Sequence, residues 1–114
     1  MFNKVILIGR LGRDPELRAS TSSGAPFCNF SIASTHKYGD EEDTFWGECV
    51  VFGKQAENAA KYLKKGSLAL VEGRLTTRSW EKDGVKRSKT EIIVQNVRYL
   101  DNKRVDDDTD NEPF

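Results

Sequence analysis

A single stretch of helical periodicity, in a chain otherwise patterned for strands, sets the tightest limit on what this sequence can fold into. From Lys54 to Lys65 the apolar residues Ala56, Ala59, Ala60 and Leu63 recur at helical spacing, and Lys64-Lys65-Gly66 supplies a cationic last turn and a glycine stop. Elsewhere the apolar runs are short, β-branched and closed by turn residues. Val5-Ile6-Leu7-Ile8 ends at Gly9 and reads as a buried strand. Residues 12 to 26, with Asp14-Pro15 and Ser20-Thr21-Ser22-Ser23-Gly24, read as an irregular connection. A second strand is expected from Phe27 to about Thr35, and a third from Phe45 to Phe52. Between them, residues 36 to 44 read as an exposed loop whose acids Asp40-Glu41-Glu42-Asp43 are solvated rather than metal-bound. After the helix come two long strand-like runs, Leu68 to about Trp80 and Thr90 to Leu100, joined across Asp83-Gly84, a strong hairpin signal.

Three strands, a helix and two strands is the layout of the five-stranded OB barrel, so the predicted fold is all-β with one helix. The 114 residues allow one compact domain, residues 1–100, followed by a short flexible tail, residues 101–114. No run approaches the roughly 18 apolar residues of a membrane span, and Met1-Phe2-Asn3-Lys4 lacks signal-peptide character, so a cytosolic protein is expected. Cys28 and Cys49 lie in separate apolar segments with no CxxC partner and read as buried, reduced thiols. His36 stands alone and reads as a surface residue, so neither a metal cluster nor a His-based catalytic pair has anything to build on. No cofactor is expected.

The zero net charge conceals a segregation of signs. Residues 1–100 carry 16 Lys and Arg against 12 Asp and Glu, a balance of +4, whereas residues 106–114 carry five acids and no base. A basic body and an acidic tip suit two different kinds of partner.

Strand side chains alternate, so residues two apart share a face. Arg74, Thr76, Arg78 and Trp80 therefore fall on one side of the fourth predicted strand, and a core would not take two arginines. In the third, Trp46, Glu48, Val50 and Phe52 share one parity and Phe45, Gly47, Cys49 and Val51 the other; parity does not say which set faces water. If the Glu48 set is outward, Trp46 and Phe52 can line the same groove as Trp80, with Tyr38 from the preceding loop as a fourth ring. Rings interleaved with cations suit single-stranded nucleic acid, whose unpaired bases stack on rings and whose phosphates need counter-charge.

Several stretches resemble the bacterial-type single-stranded DNA-binding protein family. They are Asn3 to Arg18, Trp46 with Val50-Val51-Phe52-Gly53-Lys54, Tyr62 to Ser67, and Glu72 to Trp80, in the right order across roughly residues 1–100. The resemblance implies a homotetrameric OB-fold protein of replication, recombination and repair, cytoplasmic and nucleoid-associated. It implies stacking by Trp46, Phe52 and Trp80, with Tyr38 replacing a tryptophan often found before the third strand. It also implies basic contacts near the DNA path at Lys54, Lys65 and Arg78; Thr76 and Ser79 stand where some members carry Arg or Lys, which shifts weight to Arg74, Lys86 and Arg87. Arg10 completes the expected phosphate set. The ending Asp106-Asp107-Asp108-Thr109-Asp110-Asn111-Glu112-Pro113-Phe114 looks like the family's acidic tip. There a terminal Phe can enter an apolar pocket while Asp106, Asp107, Asp108, Asp110, Glu112 and the α-carboxylate meet a partner's cations, with Pro113 adjoining.

Two departures stand out. Only about Asp101 to Val105 separates the last strand from the acidic tip, where the family usually has a long linker, as a phage, plasmid or paralogous version would show. Gly47 stands where many relatives have His at a subunit contact. Two other function classes compete. An OB module serving as an assembly adaptor would bind protein in its groove; a nuclease would need a carboxylate cluster or a nucleophile with its base, parts this sequence does not bring together.

Overall fold

The computed structural model describes residues 1–101. Seven elements follow one another: β1 (Val5–Leu11), β2 (Glu16–Ala19), β3 (Pro26–Tyr38), β4 (Glu41–Phe52), α1 (Lys54–Tyr62), β5 (Leu68–Lys82) and β6 (Val85–Tyr99). The strands form one sheet in the order β1-β5-β6-β4-β3-β2, and β1 also pairs with β3, so five strands close into a barrel with β2 appended outside. All pairings are antiparallel except β4 with β6. This is the barrel that the order of elements predicts.

Closure depends on glycine at two crowded corners. A Cβ on Gly9 would stand 2.1 Å from the Ala33 carbonyl oxygen, so only a bare backbone lets β1 pass from β5 to β3. Gly73 does the same for β5: a Cβ there would lie 2.1 Å from the Ile93 carbonyl oxygen, at the bulge where the β5–β6 register shifts. Inside the barrel Phe30, Ile32, Val51, Val71, Ile92, Cys28 and Cys49 are fully buried. Burying a side chain such as Phe30 or Ile32 is worth about 1.5–3 kcal/mol. Both thiols are free and buried, which pushes Cys28 up to about 11 and Cys49 to about 12.

Helix α1 plugs the barrel with Ala56 and Ala59 and packs against β3. Gly53 opens it at φ 72° without a side-chain cap, and Gln55 ties it to β6: its Nε2 donates to the Gln95 carbonyl at 2.7 Å, and its Oε1 accepts from Val97 N at 3.1 Å. The helix ends at Tyr62, three residues before the expected stop, because Leu63 turns to extended backbone and enters the core at 5% exposure. Ser67 Oγ and Asp14 Oδ1 then accept from the Lys64 and Lys65 amides at 3.0 and 2.8 Å.

Two segments differ from the sequence reading. Glu16–Ala19, expected to be irregular, pairs with Pro26–Asn29; all four residues of β2 are exposed, so no burial pattern marks a strand held by backbone bonds alone. The expected loop at 36–44 is the end of a long hairpin that turns only at Gly39-Asp40, with Gly39 at φ 61°. Both faces of that hairpin end are exposed, which again erases the alternation. His36 is exposed, as read, but on β3. The Asp83-Gly84 turn has φ 54° and 76°, both positive as an I′-like hairpin turn requires. Among the described residues no helix is long and apolar enough to cross a membrane.

Candidate nucleic-acid interface

The register of β3 against β4 settles the question that parity left open. Gly47, Cys49 and Val51 point inward, while Trp46 and Phe52 are 58% and 53% exposed. A Cβ on Gly47 would meet Ile92, Leu7 and Phe45 at 3.1–3.2 Å, so the glycine faces a crowded barrel end. On the outer face Phe52 lies opposite Phe27, ring centroids 6.2 Å apart, and both line an open groove of about 600 Å³. Arg74, Thr76 and Arg78 of β5 and Glu91 and Ile93 of β6 form its other wall.

Along β5 the same face continues to Trp80, 37% exposed, with the Arg78 guanidinium 4.8 Å from its ring centroid. Trp80 shares a second recess, about 490 Å³, with Lys86 and Arg87 at the hairpin end. Arg78 gives its Nε and Nη2 to the two oxygens of Glu91, each at 3.2 Å, and Glu91 is only 5% exposed. That carboxylate raises the guanidinium's already high pKa.

Trp46 lies about 20 Å from Phe52 by strand rise, on the same face of β4. It packs over Gly12, where a Cβ would stand 2.6 Å from the indole Cζ3. Between the two rings sits Glu48, 3.4 Å from Arg13 and 3.8 Å from Lys89. Lys54 follows Phe52 at the start of α1, its amine 3.8 Å from Glu57 and largely exposed. The groove face thus brings together Trp46, Phe52, Trp80, Arg74, Arg78 and Arg87, with Lys54 at its end; Lys86, paired with Glu81 on the opposite face, lines the Trp80 recess at the hairpin end.

Three expected members stand apart. Tyr38 is 63% exposed and stacks on His36 with centroids 6.5 Å apart, but its register, opposite Glu41, groups it with Phe45 on the face turned away from Trp46. Arg10 is bound to the Gly66 carbonyl at 2.9 Å and to Asp101 at 3.4 Å. Lys65 occupies that same turn after α1, outside the groove. The tip residues Asp106 to Phe114 lie outside the described residues.

Phe27 and Glu91, which line the groove, and Arg13 and Lys89, which pair with Glu48 on the same face, are members of the candidate interface that sequence reasoning missed. Lys89 and Glu91 alternate with Arg87 on β6, a signal that was available; Phe27 becomes visible only once it is paired with Phe52.

Residues 2–100 match the description "Single-strand binding protein family". Among curated relatives, single-stranded DNA-binding protein 1 of Staphylococcus aureus is 46% identical over 112 residues, covering 94% of this chain and 70% of that protein. Single-stranded DNA-binding protein 2 of Clostridium acetobutylicum is 44% identical over 104 residues, covering 88% and 77%. Among solved structures, the Plasmodium falciparum SSB complex with ssDNA superposes with a TM-score of 0.80 at 31% identity, covering 89% of this chain and 96% of that one. A match along nearly the whole described barrel, at these identities and with the same architecture, places the chain in the single-strand binding protein family.

Proposed function

We propose that this protein binds single-stranded DNA without strong sequence preference, protects it in replication, recombination and repair, and recruits partner enzymes through its acidic C-terminal tip. One observation carries the reading: exposed rings and cations alternate along one face of the barrel, with Phe52 and Phe27 in the groove, Trp80 beside Lys86 and Arg87, and Trp46 at the far end. Bases stack on these rings, and phosphates pass Arg74, Lys86, Arg87, Lys89 and Lys54. The relatives' names and the ssDNA complex of the structural neighbour support the same ligand. The role of the protein is to hold its ligand, not to transform it, and it works in the cytoplasm with the nucleoid.

Self-association belongs to this proposal. Ile6 and Ile8 of β1 are 59% and 51% exposed, and Ile8 lies beside Leu70 of β5, forming an apolar strip on the barrel's outside. The Lys4–Glu72 ion pair, which holds the Glu72 carboxyl below its usual range, borders the strip. A second copy covers it in an isologous dimer, and two dimers joined through a different surface make the homotetramer of this reading.

The test is fluorescence anisotropy of labelled oligo-dT. Replacing Trp46 and Trp80 together by Ala removes two stacked bases, about 2–6 kcal/mol, and weakens binding between about 30-fold and 10⁴-fold. A protein ending at Val105 retains DNA binding and loses partner binding. Unchanged affinity in the double variant, or loss of DNA binding on truncation, overturns the assignment.

A further inference from the structure

We propose that Glu91 is a positioning residue of the interface and that Arg78, held by it, serves the Trp80 indole rather than a phosphate. The inference rests on the single-stranded DNA reading and adds to it a division of labour among the cations.

A carboxylate 5% exposed in the wall of a phosphate-binding groove is costly twice over: it is desolvated, and it repels the ligand. Such a group is retained where its partner needs it. Glu91 meets that partner through both oxygens, and the fork is the rigid two-point geometry that only a guanidinium offers. Arg78 is thereby oriented so that its edge meets the carboxylate while its cation lies 4.8 Å from the Trp80 ring centroid. The sequence of contacts runs Glu91, Arg78, Trp80, from groove wall to hairpin. The indole sits against a fixed support yet keeps 37% of its surface open to a base. Arg78 and Glu91 together carry no net charge, so the pair holds no counterion for DNA to displace. Arg74, on the same face of β5, makes no ion pair among the described residues and keeps its full charge for phosphate.

The experiment measures oligo-dT affinity across a range of salt for Arg78→Gln, Glu91→Gln and the double variant, together with acrylamide quenching of Trp80 in DNA-free protein carrying Trp46→Phe. Each phosphate contact contributes about 0.7 to the slope of log K against log salt for a single strand. Arg78→Gln weakens binding roughly threefold to tenfold through a looser stack and raises acrylamide access to Trp80, while the salt slope is read in the double variant, where no unpaired Glu91 charge remains. Glu91→Gln frees Arg78 and steepens the slope by about 0.7. The double variant, which leaves no unpaired buried carboxylate, reproduces the wild-type slope and the loosened Trp80, so the proposal stands testable even if Arg78→Gln alone fails to fold. A slope lowered by about 0.7 in the double variant, or Trp80 quenching unchanged in both Arg78 variants, makes Arg78 an ordinary phosphate contact and overturns the proposal. If wild-type protein ignores oligo-dT, the DNA reading fails instead, while quenching in DNA-free protein still decides whether the pair holds Trp80.

Discussion

Replacing Gly12 by Ala will move a binding surface while leaving the fold in place. An ideal Cβ at this position stands 2.6 Å from Cζ3 and 3.3 Å from Cη2 of Trp46, and 2.9 Å from Ser31 Oγ. Carbon atoms settle at about 3.5–4.0 Å, so the indole has to lift by about 1 Å. It is free to do so: Trp46 is 58% exposed, and both obstructing groups are side chains. Gly12 is not in the left-handed region, so alanine is not strained there and stiffens the unfolded chain by about 0.4–1 kcal/mol. That gain roughly offsets the lost ring contacts, and the urea-unfolding free energy changes by less than about 1 kcal/mol. Binding is a different matter, because a stacked base is worth about 1–3 kcal/mol and a displaced ring forfeits much of it; labelled oligo-dT should bind roughly fivefold to a hundredfold more weakly. The double-mutant cycle with Trp46→Ala isolates the cause. Once the indole is gone, Gly12→Ala should change affinity by no more than about 0.5 kcal/mol. An equal loss in the Trp46→Ala background would refute the reasoning, as would a destabilisation above about 3 kcal/mol, which would make Gly12 a folding residue.

Gly9→Ala should behave oppositely, because the obstruction is the Ala33 carbonyl at 2.1 Å, a backbone atom in the barrel seam. A loss of about 3 kcal/mol or more, lowering the melting temperature by more than about 10 °C in calorimetry, is expected; an unchanged melt would show that the seam can open without cost. The thiols set an alkaline limit. Burial pushes Cys28 up to about 11 and Cys49 to about 12, so the folded state keeps protons that the unfolded state releases. Their contribution is intact below the ordinary thiol pKa and is lost as pH rises toward those values, so urea midpoints should fall above about pH 9, with Tyr99, 40% exposed and its phenol pushed up by partial burial, adding a smaller loss in the same direction. Native protein should also resist a thiol-specific reagent at pH 8 until it is unfolded; rapid labelling of the folded protein would contradict the burial.

Much of the fold was legible because it is written in local periodicity. The helical spacing from Ala56 to Leu63, the β-branched run at Val5–Ile8 and the Asp83-Gly84 turn each reflect interactions within a few residues or against one core. The elements that escaped, β2 and the hairpin end around Gly39, have no buried side and are held by cross-strand backbone bonds that carry no signature in composition. The basic face of β5 was also legible, since two arginines and a tryptophan at period two exclude a core role.

Local sequence determined which side chains share a strand face, because alternation follows from the backbone of each strand alone. Tertiary structure decided how those faces align, because register is a relation between strands. Pairing β4 with β3 turned Trp46 and Phe52 outward, put Tyr38 on the other side and brought Phe27 to Phe52; the meeting of β1 with the chain after β6 left Arg10 with Asp101. The contact of Arg78 with Glu91 arises in the same way, between residues thirteen apart in the chain that meet only when β5 and β6 pair.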